Sequence, residues 1–267
     1  MNAHQKQTNK DYMTVGGHLE IFRQMFFRIL GIICIIFIVI YCFKDMLWSI
    51  LLAPTHSNFI LYQVLQHYAE KLSLDSQVDT FHVNMMSTDL ASQFMLHIST
   101  SLYTAIIFSS PYILYELYRF ISPALYKSER KIALTMLGAI YILFLIGLIV
   151  NYIIIMPLSF RFLGTYQVSP DVKIQITLDS YISTFLSLSL VMGIVFQMPI
   201  ISYFLARCGL IQAKILKKYR RHSIVLIVLL SAIITPSADI FSCLIVSLPL
   251  YALYEISIII ISRTEQR

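Results

Sequence analysis

The chain has 267 residues, 58% of them hydrophobic and only 13% charged, with a formal net charge of +6. Soluble domains carry roughly 45–50% apolar and about 25% charged residues, so the composition excludes an ordinary water-soluble globule and indicates a polytopic membrane protein. At about 20 residues per crossing, one domain over residues 1–267 has room for about six spans and their connections.

The N-terminal segment carries Lys6, Lys10, Asp11, Glu20 and Arg23 ahead of a first apolar run over about 25–47. That run has no small-residue cleavage site, which predicts a retained helix and not a signal peptide. In His18-Leu-Glu-Ile-Phe-Arg23, Glu20 and Arg23 are three apart and share a helix face, a weak ion pair typically worth about 0.2–0.5 kcal/mol. The other reading pairs Glu20 with a second acid at the same membrane face, so that two acids read two adjacent arginines.

The longest connection, about 48–95, contains Phe59, Leu61, Tyr62, Leu65, Tyr68 and Leu72 at roughly helical spacing. This predicts a short amphipathic helix lying on the membrane or on the protein.

Apolar runs over about 96–118 and 132–156 flank Phe120-Ile-Ser-Pro-Ala-Leu-Tyr-Lys-Ser-Glu-Arg-Lys131, whose lone acid is Glu129. Both runs are long enough to cross a bilayer, so the linker lies at a membrane face. One reading makes Glu129 a helix-start acid that opposes the N-terminal dipole of the third span and pairs with Arg130 or Lys131. The other makes it the acceptor of an arginine from a partner, a charge-assisted bond of roughly 1.5–3 kcal/mol when shielded from water. The surrounding positive charge opposes a basic ligand, so such a site acts at short range.

A connection over about 157–182 begins at Pro157, and the fourth run, about 183–206, contains Gly193-Ile-Val-Phe-Gln-Met-Pro199. An intramembrane amide is costly without a partner, so Gln197 either satisfies backbone freed by Pro199 or meets another protein's helix or a passing peptide. The fifth run, about 223–235, reaches only about 20 Å against a hydrocarbon core of about 30 Å. It either extends at its ends or sits in thinned bilayer. Thr235-Pro236-Ser-Ala-Asp239 then links to the sixth run, about 240–262, with Asp239 in the position of its helix cap. Glu255 lies deep in that run, as a functional carboxylate or as the partner of a basic loop.

Counting Lys and Arg on alternate sides of this six-span arrangement places sixteen of the twenty with both termini and the loops around 119–131 and 207–221. Only Lys44, Lys71, Arg161 and Lys173 fall on the other side. The positive-inside bias makes both termini cytoplasmic.

No phosphate-binding loop, H-E-x-x-H or G-x-S-x-G occurs, so neither nucleotide hydrolysis nor these hydrolase chemistries are expected. The seven histidines and four cysteines show no metal-ligand or disulfide spacing, and no cofactor or metal is expected.

Taken together, Phe120-Ile-Ser-Pro-Ala-Leu-Tyr-Lys-Ser-Glu-Arg130, Ile234-Thr-Pro-Ser-Ala-Asp-Ile-Phe-Ser242 and the later Leu-Pro-Leu-Tyr-Ala-Leu-Tyr-Glu255 resemble the TatC family, the polytopic receptor component of the twin-arginine protein translocase. The resemblance spans roughly 16–262. It implies an all-α membrane protein of six helices in a cupped arrangement, with a short fifth and, in one reading, a short sixth helix. It further implies recognition of folded precursors whose signal peptides carry paired arginines. Glu129 then looks like the principal arginine-binding acid, with Phe120, Pro123, Leu125 and Tyr126 shaping its loop, and with Glu20 and Arg23 completing the site.

Pro54 matches a structural proline in the first outer loop. Gln197, Glu255, Thr235, Pro236 and Asp239 are candidate polar or partner contacts within the membrane, and the fifth helix looks like the docking side for single-span TatA or TatB-like proteins. The family pattern H-L-x-E-L-R places Ile21 at its acidic position, so Glu20 is a substitute displaced by about 100° around a helix. Gln197 stands where the family usually has glutamate, which keeps a polar contact but removes titration.

The expected protein is therefore a non-enzymatic translocase subunit driven by the proton gradient, in contact with lipid and assembling with itself and with partners, without nucleic acid. A bacterial inner membrane is the expected location, with an organellar membrane as the alternative. The competing reading is a small-solute secondary transporter, which calls for an internal repeat, and none is visible.

Overall fold

The computed structural model describes residues 15–71, 85–122, 127–166, 169, 175–207, 209–235 and 239–265, with backbone alone at 15–18, 69–70 and 127–133. They are predominantly helical. Two compact units emerge, one of Met1–Cys42 with Ser101–Gly138 and the other of Phe43–Thr100 with Ala139–Arg267.

In the first unit, helix α1 covers Val15–Cys42 and α4 covers Ser92–Ile121, its part from Ser101 onward belonging here. Helix α5, Lys127–Val150, begins in this unit. Phe22 of α1 meets Phe120 of α4 edge to face, with ring centroids 5.8 Å apart. Six residues further along α1, Arg28 reaches Glu116, four residues back along α4. Contacts that advance along one helix and retreat along the other mark an antiparallel pair.

The second unit opens with α2 (Lys44–Leu52), a 3₁₀ turn at Ala53–Thr55 and α3 (Ile60–Lys71). The amphipathic helix expected around 59–72 is thus present as α3. Its anchor is Tyr62, 2% exposed, whose hydroxyl donates to the carbonyls of Pro157 at 2.8 Å and Pro54 at 3.3 Å. Burial pushes the Tyr62 hydroxyl up to about 12, and the nearby Arg161 guanidinium only partly offsets this. Pro54 is buried within the 3₁₀ turn, where its carbonyl supplies one of these acceptors.

The third apolar run does not stop at Pro157. After α5 a π-helical turn over Asn151–Ile155 passes into α6, Met156–Thr165, with Pro157 in its first turn. A proline there costs little, because that N–H has no partner in a new helical register. The π turn inserts Asn151, fully buried, whose Nδ2 donates to Ser189 Oγ at 2.7 Å. A two-residue parallel pair, β1 (Met85–Met86) with β2 (Ile176–Thr177), joins two connections and is a small departure from the all-helical expectation.

Helix α7, Leu178–Val195, is capped by Thr177 and followed, after a turn at Phe196–Gln197, by α8, Met198–Arg207. Short α9 (Ala213–Lys218), α10 (Arg220–Ile234) and α11 (Ile240–Glu265) complete the chain. Buried Ser242, Val246, Leu250, Leu253, Tyr254, Ser257 and Ile261 recur every three or four residues along α11, the stripe that packs on α8 and α10.

Among the described residues, four helical stretches are long and apolar enough to cross a membrane: Leu19–Cys42, Leu134–Thr165, Leu178–Arg207 and Ile240–Glu265. Helix α4 has the length, with 30 residues, but its apolar character is diluted by Thr100, Ser101, Ser109, Ser110 and Glu116, all buried. Helix α10 has 15 residues, about 22 Å, and remains short as expected. The possibility of a short sixth helix is corrected: α11 has 26 residues, about 39 Å, and continues through Pro249.

Candidate functional site

Helix α1 places Glu20 and Arg23 one turn apart, and the pair forms at 2.7 Å between two largely exposed side chains. Gln24 Nε2 also donates to the same Glu20 oxygen, at 3.2 Å. At this exposure the pair contributes at most about 0.2–1 kcal/mol, so a stronger ligand displaces it cheaply.

Glu129 is the third residue of α5, in its first helical turn. The backbone there is described and its side chain is not; Pro123, Leu125, Tyr126 and Pro236 lie outside the described residues. Within one unit, then, the chain gathers the helix carrying Glu20, the end of α4 at Phe120 and the start of α5 at Glu129. The Phe22–Phe120 contact fixes the first two of these side by side.

Glu116, which sequence reasoning passed over, is a buried acid of this unit, 3% exposed. Tyr112 donates to its Oε1 at 3.0 Å, Arg28 Nη1 lies 3.5 Å from the same oxygen, and Arg119 Nη1 lies 3.7 Å away. An ionisable residue inside a membrane run, here in Tyr115-Glu-Leu-Tyr-Arg119, is itself a sequence signal that could have found it. Asn151, inside Ile149-Val-Asn-Tyr-Ile153, carries the same kind of signal.

The remaining candidates lie in the second unit. The Gln197 side chain donates to Gly193 O at 3.2 Å, a carbonyl released by the turn at 196–197, and to Ile140 O on α5 at 3.3 Å. Its Oε1 is buried and accepts nothing among the described residues. Glu255 meets Arg220 at 2.6 Å and accepts from Tyr251 at 3.1 Å, so its carboxylate is held by the first residue of α10. Asp239 Oδ1 accepts from Ser242 N at 2.7 Å, an N-cap bond for α11. Thr235 is buried, donates back to Ser231 O at 3.0 Å and touches Cys243 Sγ at 3.3 Å. These groups act on their own helices or neighbours, and the described geometry does not collect them into one site.

No metal-holding cluster occurs among the described residues. What the first unit offers is acids placed among arginines and aromatic rings.

The family model described as Sec-independent protein translocase protein (TatC) matches residues 17–249. The chain is 32% identical over 259 residues to the Sec-independent protein translocase protein TatC of Blattabacterium sp. subsp. Periplaneta americana, covering 95% of this chain and 97% of that one. It is 30% identical to the protein of the same name from Campylobacter jejuni, with 92% of each covered. A crystal structure of the twin arginine translocase receptor TatC superposes with a TM-score of 0.68 at 29% identity, over 93% of this chain and 99% of that one.

Proposed function

Because the chain belongs to the TatC family, and is a translocase receptor component and not an enzyme, we propose that it docks twin-arginine signal peptides of folded precursors at a cytoplasmic surface centred on Glu129. The observation that carries this reading is the gathering of Glu129, Phe120 and Glu20 in one compact unit, although about a hundred residues of sequence separate Glu20 from the other two. Glu129 supplies the principal carboxylate, Glu20 the second, and Pro123, Leu125 and Tyr126 shape the loop between α4 and α5. Glu20, held among the described residues by its own helix, gives up Arg23 and Gln24 to an incoming guanidinium.

Four long apolar helices, the 30-residue α4 and the short α10 support six crossings by one integral domain, and the distribution of basic residues supports cytoplasmic termini. The exposed apolar side chains of α10, among them Val225, Leu226, Leu229 and Ile233, support recruitment of single-span TatA or TatB-like helices. Transport draws on the proton gradient across the inner membrane of a bacterium, as the bacterial origin of the relatives supports.

The test photocrosslinks a twin-arginine precursor to probes placed around position 129, in wild type and in Glu129→Ala. Loss of about 1.5–3 kcal/mol of charge-assisted bonding reduces crosslinking at least tenfold. Equal crosslinking in both proteins overturns the docking site.

A further inference from the structure

Glu116 is a buried carboxylate whose compensation is loose. Its side chain is 4% exposed, yet its two arginine contacts, 3.5 Å to Arg28 and 3.7 Å to Arg119, are the longest of the ion pairs among the described residues. The Glu20–Arg23 and Glu255–Arg220 pairs close to 2.7 and 2.6 Å although both are more exposed. All the contacts of Glu116, including the Tyr112 bond, fall on Oε1, and among the described residues Oε2 accepts none. A guanidinium binds a carboxylate best through two parallel N–H···O bonds, one to each oxygen. Neither resident arginine achieves that.

We propose that Glu116 is a further guanidinium seat of the receptor, occupied in the empty protein by Arg28 and taken over by an arginine of the bound peptide. The inference rests on the docking reading above and extends its site from the membrane surface one turn down α4. Residues 112, 116 and 120 lie on one face of that helix, at successive i, i+4 positions, so the seat continues the face on which Phe120 meets Phe22. Arg28, whose side chain is 44% exposed, is the movable cover.

The exchange has a physical rationale. Uncovering a buried carboxylate without a replacement is strongly unfavourable, so Arg28 leaves only as another cation arrives. A peptide arginine replaces one guanidinium by another and adds the second hydrogen bond to Oε2. A lysine offers a point charge that cannot span both oxygens, and it must still displace Arg28. The internal arginine lowers affinity for both cations alike, and the second hydrogen bond to Oε2 is what favours arginine over lysine.

The test uses the full chain in phosphatidylethanolamine–phosphatidylglycerol nanodiscs and two fluorescent synthetic signal peptides, one with an Arg-Arg pair and one with Lys-Lys. Glu116→Gln, which keeps an acceptor for Tyr112, lowers Arg-Arg affinity roughly tenfold and moves Lys-Lys affinity less than twofold. Arg28→Gln removes the competitor and raises Arg-Arg affinity about threefold. Equal effects of Glu116→Gln on both peptides, or no effect, overturn the seat.

Should Glu116→Gln lower the thermal midpoint of the chain, Arg28→Gln decides: unchanged or reduced Arg-Arg affinity overturns the exchange. Glu129→Ala separates the two readings. If it leaves Arg-Arg binding intact, the docking reading itself fails. If it weakens binding while the Glu116 and Arg28 variants behave as wild type, only the present inference fails.

Discussion

Three acids show how differently one residue type is used in this chain. Glu20 is exposed and paired within its own helix, Glu255 is half-buried and closed onto Arg220, and Glu116 is buried with long contacts to its two arginines. Asp239 is the simplest case, a carboxylate accepting from the Ser242 amide ahead of an apolar helix. Asp239→Ala removes that bond and costs about 1 kcal/mol, while Asp239→Asn retains most of it. Amide hydrogen exchange in the first turn of α11 measures the difference, and equal exchange in the two variants contradicts a capping role. The cap was legible from an Asp placed before an apolar run. The Arg220 partner of Glu255 was not, because thirty-five positions separate them and only the packing of α10 on α11 brings them together.

Helix contacts in the second unit depend on glycine where backbones come close. A Cβ added at Gly147 of α5 lies 2.7 Å from the Met192 carbonyl oxygen of α7, and one at Gly193 lies 2.6 Å from the Phe144 ring. A ring can turn aside, whereas a helix carbonyl cannot. Gly147→Ala therefore forces α5 and α7 apart and costs about 1–3 kcal/mol. Gly138, on the same helix with nothing within 4 Å of its added Cβ, gains up to about 1 kcal/mol as alanine from helix propensity. Thermal unfolding of the detergent-solubilised variants compares them, and shifts of the same sign and size refute the close-approach argument.

The π turn at Asn151–Ile155 belongs to this scale as well. It carries the helical run from α5 into α6 and turns Asn151 toward Ser189, where sequence periodicity alone ends the span at Pro157. A period-based reading registers the proline and has no means of registering an extra residue per turn.

At the scale of the whole molecule, the number of crossings governs everything said about faces. Six crossings put three of them between positions 58 and 217, whereas the four long apolar helices alone put two there. In a chain freed of its native cysteines, Asn58→Cys and Lys217→Cys then lie on opposite sides of the membrane. A membrane-impermeant maleimide applied from outside labels Asn58→Cys and spares Lys217→Cys. Labelling of both removes α4 from the set of spans and reverses the orientation of one end of the chain relative to the other.

Composition, the spacing of apolar runs and the placement of lysine and arginine are enough to make this a multi-spanning membrane protein with a basic face, because hydrophobic length and charge act locally along the chain. The same local reading found the amphipathic α3, the short α10 and the motif around Glu129, which carries the resemblance to the TatC family to which the chain belongs. What only the tertiary structure decided is which distant side chains share a unit: Phe22 with Phe120, Arg28 with Glu116, Asn151 with Ser189. Such pairings follow from how helices dock, through ridges, close glycines and buried polar partners, and no one-dimensional spacing encodes a contact between residues 28 and 116.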